Sequence, residues 1–155
     1  MKSNIGRTFG LAMTAMELIV VLSIIAILTA VLVPTLSNYL PSIQLNGSAR
    51  TLASSLREAQ EKAISEQNQY LIRFSPGATP PNYQLIRIYN SVEEQVRQVN
   101  LPSNVSLAIE ETITANQVVF SPDGGPSSSG QITLSINGSN KIVSVSPAGF
   151  IKIEQ

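Results

Sequence analysis

Neither cysteine nor histidine occurs in the 155 residues, and aspartate occurs once, at Asp123. The first two absences remove disulfides, thiolate nucleophiles, Cys/His zinc sites and imidazole bases together. A single aspartate leaves no loop of gathered carboxylates of the kind calcium sites use. Glu93–Glu94 and Glu110–Glu111 are adjacent pairs. In extended chain such neighbours point to opposite faces, so both read as solvated charge. No serine has an identifiable base. An enzyme is therefore not expected, and no cofactor or metal is implied.

Positive charge is also scarce. Ten Lys and Arg balance ten Asp and Glu. If residues 1–12 are removed, as argued below, Lys2 and Arg7 go with them, leaving 8 basic and 10 acidic side chains, a net of −2. Nucleic-acid binding needs a basic stripe or patch, which this chain does not offer.

What the chain does have is a long apolar run. Residues 18–36, LIVVLSIIAILTAVLVPTL, carry no charge. At about 1.5 Å per helical residue they span roughly the ~30 Å hydrocarbon core of a bilayer. Lys2 and Arg7 precede the run, so the positive-inside tendency keeps the N-terminus cytoplasmic and sends the rest across a single membrane span. A secretory signal peptide would be shorter and would close on a small-residue cleavage site at its far end. An ordinary anchor explains the length but not Glu17, the only charge between Arg7 and Arg50. A carboxylate at the centre of a membrane helix costs about 2.5–3.5 kcal/mol on insertion scales, so Glu17 calls for a partner.

Ala12-Met13-Thr14-Ala15-Met16-Glu17-Leu18, followed by the apolar run, resembles the prepilin signal of type IV pilins and type II secretion pseudopilins. The resemblance implies a basic leader cut off by a prepilin peptidase, N-methylation of the new first residue, Glu at the fifth mature position and Pro at the twenty-second. A cut between Ala12 and Met13 makes Glu17 fifth and Pro34 twenty-second, with Met13 methylated. Ala12 stands where the family commonly has Gly, and Met13 where it has Phe. Gly10 offers a second cut point, at which Glu17 would be seventh and the match lost. In the family the Glu pairs with the N-terminal amine of a neighbouring subunit. The same role is expected of Glu17, since a buried carboxylate in a helix bundle needs an opposite charge.

Further on, Leu45, Ala49, Leu52, Leu56, Ala59 and Ala63 recur at steps of four and three, the stripe of an amphipathic helix. One long bent helix from about Met13 to about Gln67 is expected, with a kink at Pro34 and loosening between Pro34 and Gly47. Eight alternating runs then read as strands: Tyr70–Phe74, Tyr83–Tyr89, Val96–Leu101, Val105–Ile109, Gln117–Phe120, Gln131–Ile136, Lys141–Val145 and Phe150–Ile153. Asn137-Gly138 signals a hairpin, of two or four loop residues. Ser127-Ser128-Ser129 reads as a flexible loop tip. The expected fold is α+β, a long N-terminal helix packed on an antiparallel β-sheet. Its divisions are a leader at 1–12, a membrane and filament-core helix at 13–44, and a globular domain at 45–155, with helix to 69 and sheet from 70.

The SLREAQEKAISEQNQ helix running into Tyr70, the Val119-Phe120-Ser121-Pro122-Asp123-Gly124 turn and the closing Gly149-Phe150-Ile151-Lys152 are similar to the GspH/FimT-type minor pilins. Some members of that branch bind DNA through basic residues after the final glycine. Here Phe150 takes the first such position and only Lys152 remains, so DNA capture is not supported. The resemblance implies a structural minor pilin or pseudopilin of the inner membrane, its C-terminal domain periplasmic or otherwise extracytoplasmic, and part of a filament when assembled. Its partners would be other pilin-like subunits, prepilin peptidase and an inner-membrane assembly platform. A pilus-borne module binding DNA or another ligand, and a major pilin, are the competing readings.

Overall fold

The computed structural model describes residues 14–154, with side chains throughout except at 33–38. A single helix, α1, covers Ala15–Glu66. Thr14 starts it: its hydroxyl accepts the backbone N–H of Glu17 at 3.2 Å, satisfying one of the orphan donors of the first turn. The backbone is helical through Pro34, Pro41 and Gly47. Gln67 ends the helix in the left-handed region, at φ 53°. Its side-chain amide donates to the Ile64 carbonyl at 2.7 Å, and Asn68 donates to that of Glu66 at 2.9 Å. Exposed last-turn carbonyls are thereby satisfied.

Eight strands follow: β1 Gln69–Ser75, β2 Asn82–Tyr89, β3 Val92–Asn100, β4 Ser106–Ile109, β5 Gln117–Phe120, β6 Gly130–Ile136, β7 Ser139–Val145 and β8 Ile151–Glu154. They form two four-stranded antiparallel sheets rather than the one expected, in the orders β3-β2-β1-β5 and β4-β6-β7-β8. The chain leaves the first sheet after β5, where Pro122 and Pro126 lack the N–H a ladder needs. The hairpin between β6 and β7 is the two-residue form. Asn137 and Gly138 both have positive φ, 49° and 81°, which suits a type I′ turn.

The division of the chain falls between Asn38 and Tyr39. In the C-terminal unit, both sheets share one core with the amphipathic stripe of α1. Leu45, Ala49, Leu52, Leu56, Ala59 and Ala63 are all buried against Tyr70, Ile72, Tyr83, Leu85, Val118, Phe120, Ile132, Leu134 and Val143. The alanines let strands approach the helix, and the larger residues fill the space between. Tyr83 is buried with its hydroxyl 3.1 Å from that of Ser55, so the polar end of a core side chain is not stranded.

Two turns of one design close the two sheets. Ser121-Pro122-Asp123-Gly124 follows β5 and Ser146-Pro147-Ala148-Gly149 follows β7. In each, the glycine N–H donates to the serine carbonyl, at 2.8 and 2.9 Å. In each, the serine N–H donates to the residue after the glycine, at 3.0 and 2.9 Å. Gly124 and Gly149 have φ of 83° and 80°, a region L side chains avoid. Gln60 on α1 ties the two turns together, its amide donating to the Gly124 carbonyl at 2.8 Å and to that of Gly149 at 3.2 Å.

The serine run is not a loop tip. Ser127 N–H donates to the Val119 carbonyl at 2.7 Å, and the Ser128 hydroxyl to that of Gln117 at 3.3 Å. These serines extend the hydrogen bonding along the outer side of β5.

Candidate assembly site

The apolar half of α1 is the part of the molecule with the strongest chemical bias. The window Ala15–Leu32 is 18 residues long and none of it is buried. Ile19, Leu22, Ile25, Leu28 and Leu32 are each more than half exposed. Its only hydroxyls are turned back onto the helix: Ser23 donates to the Ile19 carbonyl at 2.7 Å and Thr29 to that of Ile25 at 2.8 Å. A hydroxyl satisfied inside its own helix meets an apolar medium without an unpaired donor.

Glu17 lies in the first turn of α1. The helix dipole favours negative charge there, and Thr14-x-x-Glu17 has the spacing of a capping box. The structure therefore brings Glu17 together with Thr14, a link that the T-x-x-E spelling would have disclosed. Ala12 and Met13 lie outside the described residues. Pro34 lies inside α1, its side chain outside the description.

The C-terminal unit carries its charge in pairs. Glu93 and Glu94, expected to be solvated, do point to opposite faces of β3, but each meets an arginine. The Arg73 guanidinium bonds Glu93, and that of Arg87 bonds Glu94 at 2.5 Å. These contacts explain why β3 starts at Val92 and not at Val96: the acids are held by the sheet. Val96 is the extra residue of a bulge, since Leu85 pairs with Arg97 and Ile86 with Gln95. Arg97 reaches the helix, donating to Glu58 at 2.6 Å and Ser55 at 3.2 Å. At the end of α1, Tyr70 donates to Glu66 at 2.6 Å, and Lys62 and Arg87 stand at 3.9 and 3.6 Å from the same carboxylate. The Tyr70 hydrogen bond is the main reason the Glu66 carboxyl titrates below its ordinary range. Burial, and then Glu66, push Tyr70 up to about 12. Arg73 likewise lowers Glu93.

Phe150 is 67% exposed beside an open depression of about 440 Å³ that Lys152, Ser144 and Pro147 also line. Among the described residues no three His, Cys, Asp or Glu side chains gather as a metal site. The sequence reading missed Gln60 and the arginines of β1 to β3. The repeated S-P-x-G spelling was the available signal for the former.

A capped apolar segment, exposed over Ala15–Leu32, together with an amphipathic helix buried in a two-sheet antiparallel unit, defines a pilin-like α+β protein. The model of the type II transport protein GspH family matches residues 48–149, and the chain belongs to that family. Among solved structures, the minor pseudopilin EpsH from the type 2 secretion system of Vibrio cholerae is similar in fold. Its TM-score is 0.63 at 15% identity, covering 72% of this chain and 96% of that one. The type IV minor pilin FimU of Pseudomonas aeruginosa (strain PAO1) gives 0.61 at 15% identity, covering 74% and 90%. Among curated proteins no sequence match is found.

Proposed function

We propose that this chain is a structural minor pilin or pseudopilin, assembled through α1 into a type II secretion pseudopilus or a type IV pilus. The observation that carries this reading is the pairing of a GspH-family domain with an exposed apolar helix whose one charge, Glu17, sits in its first turn. Prepilin peptidase would cut between Ala12 and Met13, and Met13 would be N-methylated. The peptidase leaves Thr14 in place, so the mature chain keeps the cap of its helix.

Before assembly the subunit is held in the inner membrane by a single span, with residues 39–155 on the extracytoplasmic side. In the filament the apolar halves bundle. Glu17 then meets the terminal amine of a neighbour in a medium of low dielectric, which fixes axial register. Pro34 supplies the point at which the helix adapts to its neighbours. The role is mechanical and needs no catalysis. An inner-membrane platform adds the subunit to the filament.

The test is the intact mass and N-terminal sequence of the protein recovered from cells that contain the peptidase. A chain starting at methylated Met13 supports the reading, and an uncut chain, or one cut beyond Pro34, removes it. Glu17→Ala should then leave processing intact and abolish entry into filaments. Wild-type entry by that variant would dismiss the pairing.

A further inference from the structure

Charge in the C-terminal unit is matched on one side and left open on the other. Arg57 donates to the Ile151 carbonyl at 2.9 Å, and Arg73, Arg87 and Arg97 hold Glu93, Glu94 and Glu58. Among the described residues Arg50 has no side-chain partner, and neither has Lys141. The two line one cleft of about 300 Å³ between α1 and strands β7 and β8, with Asn46, Ile153 and Glu154. Glu154 accepts from the Ser144 hydroxyl at 3.2 Å and neutralises neither cation by contact.

The cleft continues along α1 as a stripe. Tyr39, Ile43, Asn46 and Arg50 recur at steps of four, three and four, which is one helix face. Tyr39 is 64% and Ile43 52% exposed, so the sheets leave this face uncovered. The surface is thus apolar at its N-terminal end and cationic at its C-terminal end.

Three anionic partners compete for such a seat. Recognition of lipid headgroups by charge takes clusters of about 4–8 Lys and Arg, and this cleft has two. Nucleic acid needs more phosphate contacts than two cations give. A protein carboxylate remains, on an element whose apolar side chains also cover Tyr39 and Ile43. A helix with apolar residues three and four apart and an acid beyond them meets both needs.

We propose that this stripe and cleft seat a helix of a neighbouring pilin-like subunit, with its apolar side chains on Tyr39 and Ile43 and a carboxylate between Arg50 and Lys141. The proposal rests on the filament reading above and names the surface at which this subunit receives the next.

The chain has no cysteine, so Ile43→Cys and Arg50→Cys each provide one unique thiol for a photo-crosslinker on the full-length chain. The variants are made in cells that assemble the filament. Both sites should give a product with another pilin-like subunit, and Gln98→Cys, on the opposite edge strand, should not. Adding Arg50→Glu and Lys141→Glu to Ile43→Cys should cut the yield about tenfold, while Arg50→Lys with Lys141→Arg should retain it. Among the described residues neither cation has a partner to lose, so the charge-reversed chain should melt near wild type. Arg50→Gln with Lys141→Gln repeats the test without added acid. Products with lipid alone, or an unchanged yield after charge reversal in chains that enter filaments, would falsify the seat and leave the filament reading standing. Failure of the unaltered chain to enter any filament overturns both.

Discussion

The Arg73 guanidinium holds both carboxylate oxygens of Glu93 from two strands away, Nη1 to Oε2 at 2.9 Å and Nη2 to Oε1 at 2.7 Å. Register shows what the bridge passes over. Arg73 lies opposite Gln84 on β2 and Glu93 opposite Ile88, with Ile86 between them on the same face. Ile86 is 3% exposed and its partner Leu71 1%, although both lie on the face turned away from the main core. The arginine stem and its ion pair form a lid over this small apolar patch. Arg73→Ala should therefore lower the melting temperature more than Glu93→Gln, because it removes the lid as well as the charge. Paired thermal melts of the full chain in detergent would check this.

Acid should weaken the first sheet. Arg73 holds the Glu93 carboxyl below its ordinary value of 4.5, and the Tyr70 hydroxyl does the same for Glu66. A depressed folded-state pKa contributes stability that is present above 4.5 and is lost as pH falls through the folded value. The melting temperature should hold from pH 7 to about 5 and decline below about 4.5. Glu93→Gln should show a shallower decline, and an equal one would dismiss this role for Glu93.

Alkali should act through Tyr70. Its pKa stands at about 12, against 10.0 for a free tyrosine, with burial the larger cause. The stability this contributes is complete below pH 10 and is lost as pH rises towards 12. Ultraviolet titration should show a late tyrosine phase near pH 12, above the ordinary value of 10.0. Tyr70→Phe should remove the late phase and let the Glu66 carboxyl rise, although Lys62 and Arg87 would still lower it.

The helix stripe should carry large energies. Leu52 is fully buried, and Leu52→Ala should cost about 2–5 kcal/mol through lost transfer energy and the cavity left behind. Ser54, two residues on and on the exposed side of the helix, is the control, and Ser54→Ala should stay within about 0.5 kcal/mol. Denaturant melts of the two variants would decide whether α1 is the spine of the domain.

The turn after β7 should be intolerant of a side chain. A Cβ on Gly149 would lie 2.6 Å from the Gln60 amide nitrogen and 3.1 Å from the Gly124 carbonyl, at a φ of 80°. Gly149→Ala should cost about 1–3 kcal/mol in strain. Gln60→Leu should cost a similar ~1–3 kcal/mol by leaving two carbonyls without a donor. Hydrogen exchange should rise at Gly149 and Phe150 in both variants.

Periodicity made much of this legible. The six stripe residues of α1 are all buried, and each of the eight alternating runs forms a strand. Local spelling located the Asn137-Gly138 turn because its two positive φ angles are a local demand. What stayed hidden was long-range. Nothing near Glu93 announces Arg73, 20 residues earlier, and nothing near β5 says that β4 pairs elsewhere. The Ser127–Ser129 run was misread because serine is common in loops, and only the ladder beside β5 gives its hydroxyls and amides partners. Glu17 was singled out by its isolation, while the Thr14 cap beside it was overlooked.

Gln60 bonds two carbonyls that lie 64 and 89 residues further along the chain. During synthesis its helix emerges before either carbonyl has been made. The amide therefore waits for 89 further residues, and the helix is fully fastened only when the turn after β7 arrives. A copy interrupted ahead of Gly149 would carry that latch half-shut, with one of its two acceptors missing.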